Sequence, residues 1–292
     1  MQKIIISFLF IIVALTWGTT WLAMKIAIET VPPIFATGMR FLCASPFLIF
    51  IAWITKKPLI FPIGYRFFQL LVSLFYFAIP FSLMIYGEMY ISSGVASIIF
   101  ANMPIIMLIT SVILLCEKIS LTQILGLTIA LAALLNILIN ESRISTESNW
   151  QGIFAIVIAL IMHAVVYTVC KKNSCTVPIV TFNALPCFFA GIILSMLGWI
   201  FEKPQIENFS VYSILSIIYL GVFAGVSGIM CYFLLQKKAK AFQASLVFLI
   251  FPLIAVGMEN YIYGSSMLIK SKLMLIPLAL GIIITLLPRK AV

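Results

Sequence analysis

Long apolar runs, punctuated by short polar stretches, set the pattern of this chain. With a window of about 20 residues, the length at which a helix crosses a hydrocarbon layer, ten runs emerge. They cover residues 4–24, 33–53, 67–86, 91–115, 121–139, 150–170, 178–200, 211–235, 241–262 and 272–288. Strict apolar/polar alternation is absent, which argues against an outer-membrane barrel. The longest polar stretch runs from Asn140 to Asn149, so no soluble domain fits between runs. Only Lys3 stands before the first run as a charged flank, and no small-x-small cleavage site follows it, so that run reads as a retained helix. The pattern predicts an all-α polytopic membrane protein with ten transmembrane helices.

The halves of the pattern resemble each other. Ala96-Ser97-Ile98-Ile99-Phe100-Ala101-Asn102-Met103-Pro104-Ile105 recurs as Ala244-Ser245-Leu246-Val247-Phe248-Leu249-Ile250-Phe251-Pro252-Leu253. A five-helix unit used twice must insert in opposite orientations, because five crossings end on the far side. Residues 1–140 and 150–288 are therefore expected to be inverted repeats. That architecture points to alternating access, with a substrate site between the halves near the midplane.

Composition sharpens the class. The chain of 292 residues is 64% hydrophobic and 9% charged, with a mean hydropathy of +1.23. A soluble domain could not hide that much apolar surface, whereas a bilayer accepts it. The net charge of +10 is spread in ones, twos and threes between the runs, which suits inner loops and not a nucleic-acid partner. With the N-terminus inside, twelve Lys and Arg fall on the inner side and five on the outer, which places both termini inside. The chain has no Asp and only eight Glu, and its six cysteines form no C-x-x-C. Neither a metal site, a cofactor nor a disulfide framework is expected. No phosphate-binding G-x-x-x-x-G-K-[ST] is present, and paired acids or a nucleophile–base pair are lacking, so an enzyme is not expected. Gly225-Val226-Ser227-Gly228 resembles the serine motif of rhomboid proteases, but the sole His precedes that Ser by more than sixty residues, against the rhomboid order.

The polar residues inside the runs are the candidates for chemistry. Trp17, Thr20, Trp21 and Met24 fall at i, i+3, i+4 and i+7 and share one helix face. Hydroxyls and indole N–H groups gain nothing from lipid, so that face belongs against other helices or a wet cavity. Pro104 and Pro252, at corresponding positions, predict paired kinks that shape the cavity. Arg40 lies about a third of the way into the second run, where it would snorkel or pair with Glu88, in a structural or gating role. Glu88 and Glu259 stand near outer helix ends as coupling candidates, and a proton as coupling ion would use them or His163. His163, with Tyr167 one turn on, reads as a cavity imidazole that cannot build a metal site alone. Tyr86 and Tyr232 are amphipathic candidates, and Asn102 is a polar side chain at depth. Gly221 and Gly225 form a small-xxx-small pattern for close helix packing, within the fold or in a homodimer.

Several of these features together resemble the EamA family of the drug/metabolite transporter superfamily. They are Trp17-Gly18, Lys25, Arg40, the two Ala-Ser…Pro blocks, and the run Pro104…Glu117-Lys118…Gln123…Gly126. The resemblance covers the whole chain. It implies ten helices with both termini cytoplasmic and a central cavity lined by helices one, three, four, six, eight and nine. It also implies export of amino acids or other small metabolites across a bacterial inner membrane. Carried over, Trp17, Thr20, Trp21, Tyr86, Asn102, His163, Tyr167 and Tyr232 become substrate-binding candidates. The second half departs from the pattern: Ser265 stands where a Glu is expected, and His163 replaces the equivalent of Gly18. The expected partners are a small-molecule substrate and the lipid bilayer. The competing reading is a non-transporting scaffold or sensor subunit.

Overall fold

The computed structural model describes residues 2–91, 93–141, 150–173, 177–262 and 268–286. Most of Asn140 to Asn149, together with Cys175 and Ser265, lies outside the described residues, and so does the side chain of Glu259. Every described regular element is helical. Six helical stretches are long and apolar enough to cross a membrane: Ile4–Ala27, Pro33–Ile54, Ile63–Glu88, Trp150–Lys172, Ile179–Glu202 and Val211–Lys238. Shorter apolar helices at Met103–Leu115, Leu121–Ile137 and Ala241–Ala255 pack among them.

The outside of the bundle is greasy. On α1 (Gln2–Gly18), Ile4, Phe8, Ile11 and Leu15 form one exposed ridge, while Val13 and Ala14 are buried. On α9 (Trp150–Lys172), Phe154, Ile161 and Val165 face outward, while Ile156, Ala159, His163 and Tyr167 are buried. Such contiguous apolar surface suits acyl chains and would be an aggregation face in water.

Within the bundle, helices meet in matched pairs. α3 (Pro33–Ile54) lies along α10 (Ile179–Glu202), and α8 (Leu121–Glu141) lies along α15 (Ile269–Leu286). α5 (Ile79–Glu88) packs on α9, while α12 (Ile229–Lys238) packs on α1. Without a hydrophobic force between helices in lipid, close backbone approach at small residues supplies the packing. A Cβ at Gly281 would lie 2.5 Å from Ala130 N, and one at Gly126 would lie 2.6 Å from the Gly281 carbonyl. The α8–α15 pair therefore admits only glycine at those points. Gly221 serves the same purpose inside the fold, with its Cβ position 2.4 Å from the Arg40 carbonyl oxygen.

Several expected continuous runs are interrupted. Residues 91–115 divide into α6 (Ser93–Phe100) and α7 (Met103–Leu115), with a turn at Ala101-Asn102. Pro104 is thus in the first turn of a new helix, where its missing N–H leaves no bond unmade. In the second half the interruption lies at Leu246, between α13 (Ala241–Ser245) and α14 (Val247–Ile262), and Pro252 sits inside α14. The paired proline kinks expected from the sequence are therefore a helix break at one position and an in-helix proline at the other. The first run also breaks, at Thr19, before α2 (Thr20–Ala27). Thr16, Thr19 and Thr20 each turn a hydroxyl back to a carbonyl three or four residues earlier, the geometry that bends helices. The third run carries a π-helical segment, Ser73–Ala78, between α4 (Arg66–Val72) and α5. The eighth run carries another, Tyr219–Gly228, between α11 (Val211–Ile218) and α12.

Candidate functional site

The bends and breaks converge on one cavity. From the first half, α1 and α2 contribute Trp17, Thr20, Trp21 and Met24, and α3 contributes Arg40. Phe81 and Met84 come from α5, and Phe100 closes α6. From the second half come His163 and Tyr167 on α9, Ala224 and Ile229 about the end of the π-helical segment, and Phe248 and Phe251 on α14. The helical face proposed for Trp17, Thr20, Trp21 and Met24 does line a cavity. That face follows from local periodicity, which needs no tertiary information.

The walls are a connected aromatic cluster. Trp17 sits 4.9 Å from the Tyr232 ring, 5.5 Å from Phe248 and 6.5 Å from Tyr167. Trp21 meets Phe100 edge-on at 5.3 Å and stacks on Phe251 at 6.2 Å. Offset and edge-to-face contacts at such separations are the favourable geometries for rings. Tyr232 is fully buried behind Trp17 and Tyr167, so it backs the wall and does not form its surface. The free volume is about 60 Å³, well below the few hundred of a typical ligand pocket. The rings leave little open space between them in this conformation.

Polar groups in these walls are few. His163 is buried, and its Nδ1 lies 3.0 Å from the Ala159 carbonyl. A carbonyl can only accept, so Nδ1 carries the proton and Nε2 of the neutral ring is left as an acceptor. Phe81 meets the imidazole edge-on at 4.9 Å. The Thr20 hydroxyl is already donated to the Trp17 carbonyl at 2.7 Å. Arg40 is the one cation lining the cavity among the described residues, and it is only 5% exposed. Its guanidinium carbon stands 4.8 Å from the Phe81 ring centre and 5.4 Å from that of Phe41, within cation–π range. Nη1 reaches Met24 Sδ at 3.7 Å, a weak acceptor, and Nε has no partner.

The remaining candidates fall elsewhere. The expected Arg40–Glu88 pair is not made: both carboxylate oxygens of Glu88 are buried without a hydrogen-bond partner. Arg40 does not snorkel either, because its side chain turns inward to the thioether and ring faces. Tyr86 is 39% exposed against Tyr90, in a separate apolar groove between α5 and α10. It therefore lies outside the central cavity. Asn102 sits at the helix break, half-buried, with Nδ2 donating to the Ile99 carbonyl at 3.3 Å. Pro104 begins α7 away from the walls, whereas Pro252 directly follows the wall residue Phe251. Ser227 is exposed and donates to the Phe223 carbonyl.

Phe81, Phe100, Phe248 and Phe251 were not singled out by sequence reasoning. One signal did exist. Phe100 and Phe248 occupy the same place in the two recurring blocks, and both line the cavity.

Comparison with known proteins places these features in context. The EamA-like transporter family matches residues 4–139 and 150–287. The chain is 63% identical over 289 residues to "Protein PagO" of Salmonella typhimurium, covering 99% of this chain and 95% of that one. It is 52% identical to an "Uncharacterized transporter" of Buchnera aphidicola, covering 99% of this chain and 96% of that one. It is 22% identical to a "Probable amino-acid metabolite efflux pump" of Salmonella typhimurium, covering 89% and 88%. A solved crystal structure, 15% identical, superposes with a TM-score of 0.78 over 96% of this chain and 97% of that one, a likeness of fold alone.

Proposed function

The chain belongs to the EamA-like transporter family and is a multi-pass membrane transporter, and from that premise we propose that it exports a small amphipathic metabolite through the aromatic cavity. The observation that carries this reading is the origin of the walls. Trp17, Trp21, Arg40 and Phe100 come from one matched segment, and His163, Tyr167, Phe248 and Phe251 from the other. A site shared by two bodies opens to one side or the other as they rock.

On this proposal residues 1–140 and 150–288 are five-helix repeats of opposite orientation, giving ten crossings with both termini cytoplasmic in a bacterial inner membrane. The matched helix pairs support it, as do the recurring Ala-Ser…Pro blocks and the excess of inner Lys and Arg. Trp17, Thr20, Trp21, His163 and Tyr167 would contact substrate, with Tyr232 bracing the wall. An amino acid or a derivative is the substrate class, supported by the name of the Salmonella efflux relative. The π-helical segments Ser73–Ala78 and Tyr219–Gly228 stand beside the wall residues Phe81 and Ile229, and such segments collect at functional sites. They are where the cavity would widen.

The test compares metabolites released by cells producing the intact chain, a Trp21→Ala form at equal membrane abundance, or neither. One compound class enriched outside only with the intact chain is the expected result. Identical profiles in all three would overturn export as its activity.

A further inference from the structure

We propose that Arg40 is the anion-binding residue of the cavity, and that the transported molecule is a small monocarboxylate with an apolar body. The inference rests on the cavity being the transport site and goes beyond it by naming the group recognised. Its first support is a buried cation without an anion. Arg40 is 5% exposed, its Nε has no partner, and Nη1 finds only the Met24 thioether at 3.7 Å. Guanidinium donors in a low-dielectric site are costly when unpaired, and the faces of Phe81 and Phe41 offset that cost only in part. A ring face attracts the charge without accepting an in-plane hydrogen, so Nε stays unpaired beside an Nη1 held only by a weak thioether acceptor.

The second support is the placement of charge. Glu88 is within electrostatic reach of Arg40 and of Lys25, yet its oxygens bond neither. Neither Glu88 nor the exposed Lys25 lines the cavity, so Arg40 is the charged side chain among its described lining residues. No acid lines the cavity among the described residues. One negative charge on a ligand is what the site lacks. A planar carboxylate matches the guanidinium fork with two parallel hydrogen bonds. A second charge would be stranded among Trp17, Trp21, Phe100 and Phe248, so dicarboxylates fit poorly. His163 Nε2, an acceptor, suits an N–H or O–H near the carboxylate.

The test uses the full chain in lipid nanodiscs and saturation-transfer NMR. The probes are phenylacetate, indole-3-acetate, leucine and phenylalanine, each beside its carboxamide. The proposal expects the carboxylates to bind and their amides to bind about thirtyfold or more weakly, the effect of removing one member of a buried charge pair. Arg40→Gln should erase that preference, and Arg40→Lys, which keeps the charge but loses the fork, should fall between. If Arg40→Gln fails to fold, the acid–amide comparison in the unaltered chain still decides. Equal binding of acids and amides overturns the assignment, as does an acid preference that survives Arg40→Gln, or no binding by any probe. The Trp17→Ala form separates the two readings. Amides that bind as well as acids and vanish with Trp17→Ala would leave the cavity as transport site and overturn only the carboxylate.

Discussion

Gly228→Ala is the most direct probe of the wall, because it adds one methyl where the structure has no room. The new Cβ would stand 2.7 Å from Trp17 Nε1, 3.1 Å from Cδ1 and 3.2 Å from Thr16 Cγ2. Heavy atoms settle at about 3.5–4.0 Å, so the indole must retreat by about 1 Å. It cannot do so freely, since Tyr232 and Phe248 hold its other sides at 4.9 and 5.5 Å. Overpacking of this kind costs about 1–3 kcal/mol, and the helix propensity gained over glycine returns up to about 1 kcal/mol. A net loss of about 1–2 kcal/mol is expected. Gly257→Ala is the control, because an added methyl there meets nothing within 4 Å; it should be neutral or slightly stabilising. The assay is thermal unfolding of the purified chain, run as a double-mutant cycle with Trp17→Ala. Without the indole the clash is gone, so most of the Gly228→Ala penalty should vanish and the coupling should approach the single-variant cost. A penalty that stays the same in the Trp17→Ala background would refute the contact. So would a Gly228→Ala form as stable as Gly257→Ala.

Two further predictions concern joints between helices. Glu202, on α10, accepts from the backbone N–H groups of Ile34 at 3.0 Å and Phe35 at 2.8 Å, capping α3 across the bundle. Glu202→Ala should cost about 1–2 kcal/mol of thermal stability without altering substrate preference, and Glu202→Gln, which keeps one acceptor, should cost less. A change in preference at unchanged stability would contradict a purely capping role. Thr110 and Thr168 share a hydrogen bond of 2.7 Å between α7 and α9. Thr168→Val should cost about 0.6 kcal/mol, the average for such bonds in membrane helices, and no more than about 1.7 kcal/mol. Adding Thr110→Val should then cost little more, and fully additive losses would show that the two hydroxyls act independently.

What could be read from the residues alone was whatever depends on local period or on total apolar content. A span is legible because a bilayer demands an unbroken apolar run. The face of Trp17, Thr20, Trp21 and Met24, and the pairing of His163 with Tyr167, follow from the pitch of one helix. The interruptions were less visible. A proline in a run announces a disturbance, but neighbouring helices decided that Pro104 begins a helix while Pro252 lies within one. Neither π-helical segment has a composition that marks it.

Tertiary structure alone decided which phenylalanines face the cavity. In a soluble protein burial sorts apolar side chains from polar ones, so hydrophobicity is a guide to the interior. In a bilayer the surroundings are as apolar as the core, and a Phe is equally at home on either side of the helix. Phe81 and Phe248 line the cavity while Phe8 and Phe223 face outward, and nothing in their side chains distinguishes them. Tyr86 illustrates the same limit from the other direction, an amphipathic ring expected inside and placed at the periphery. The sequence by itself determined that this chain lives in a membrane as packed helices with a polar, aromatic stretch in the first. Only the packing of one half against the other decided that Arg40 would stand inside that aromatic shell with its Nε unpartnered, because that shell is built from helices contributed by both halves.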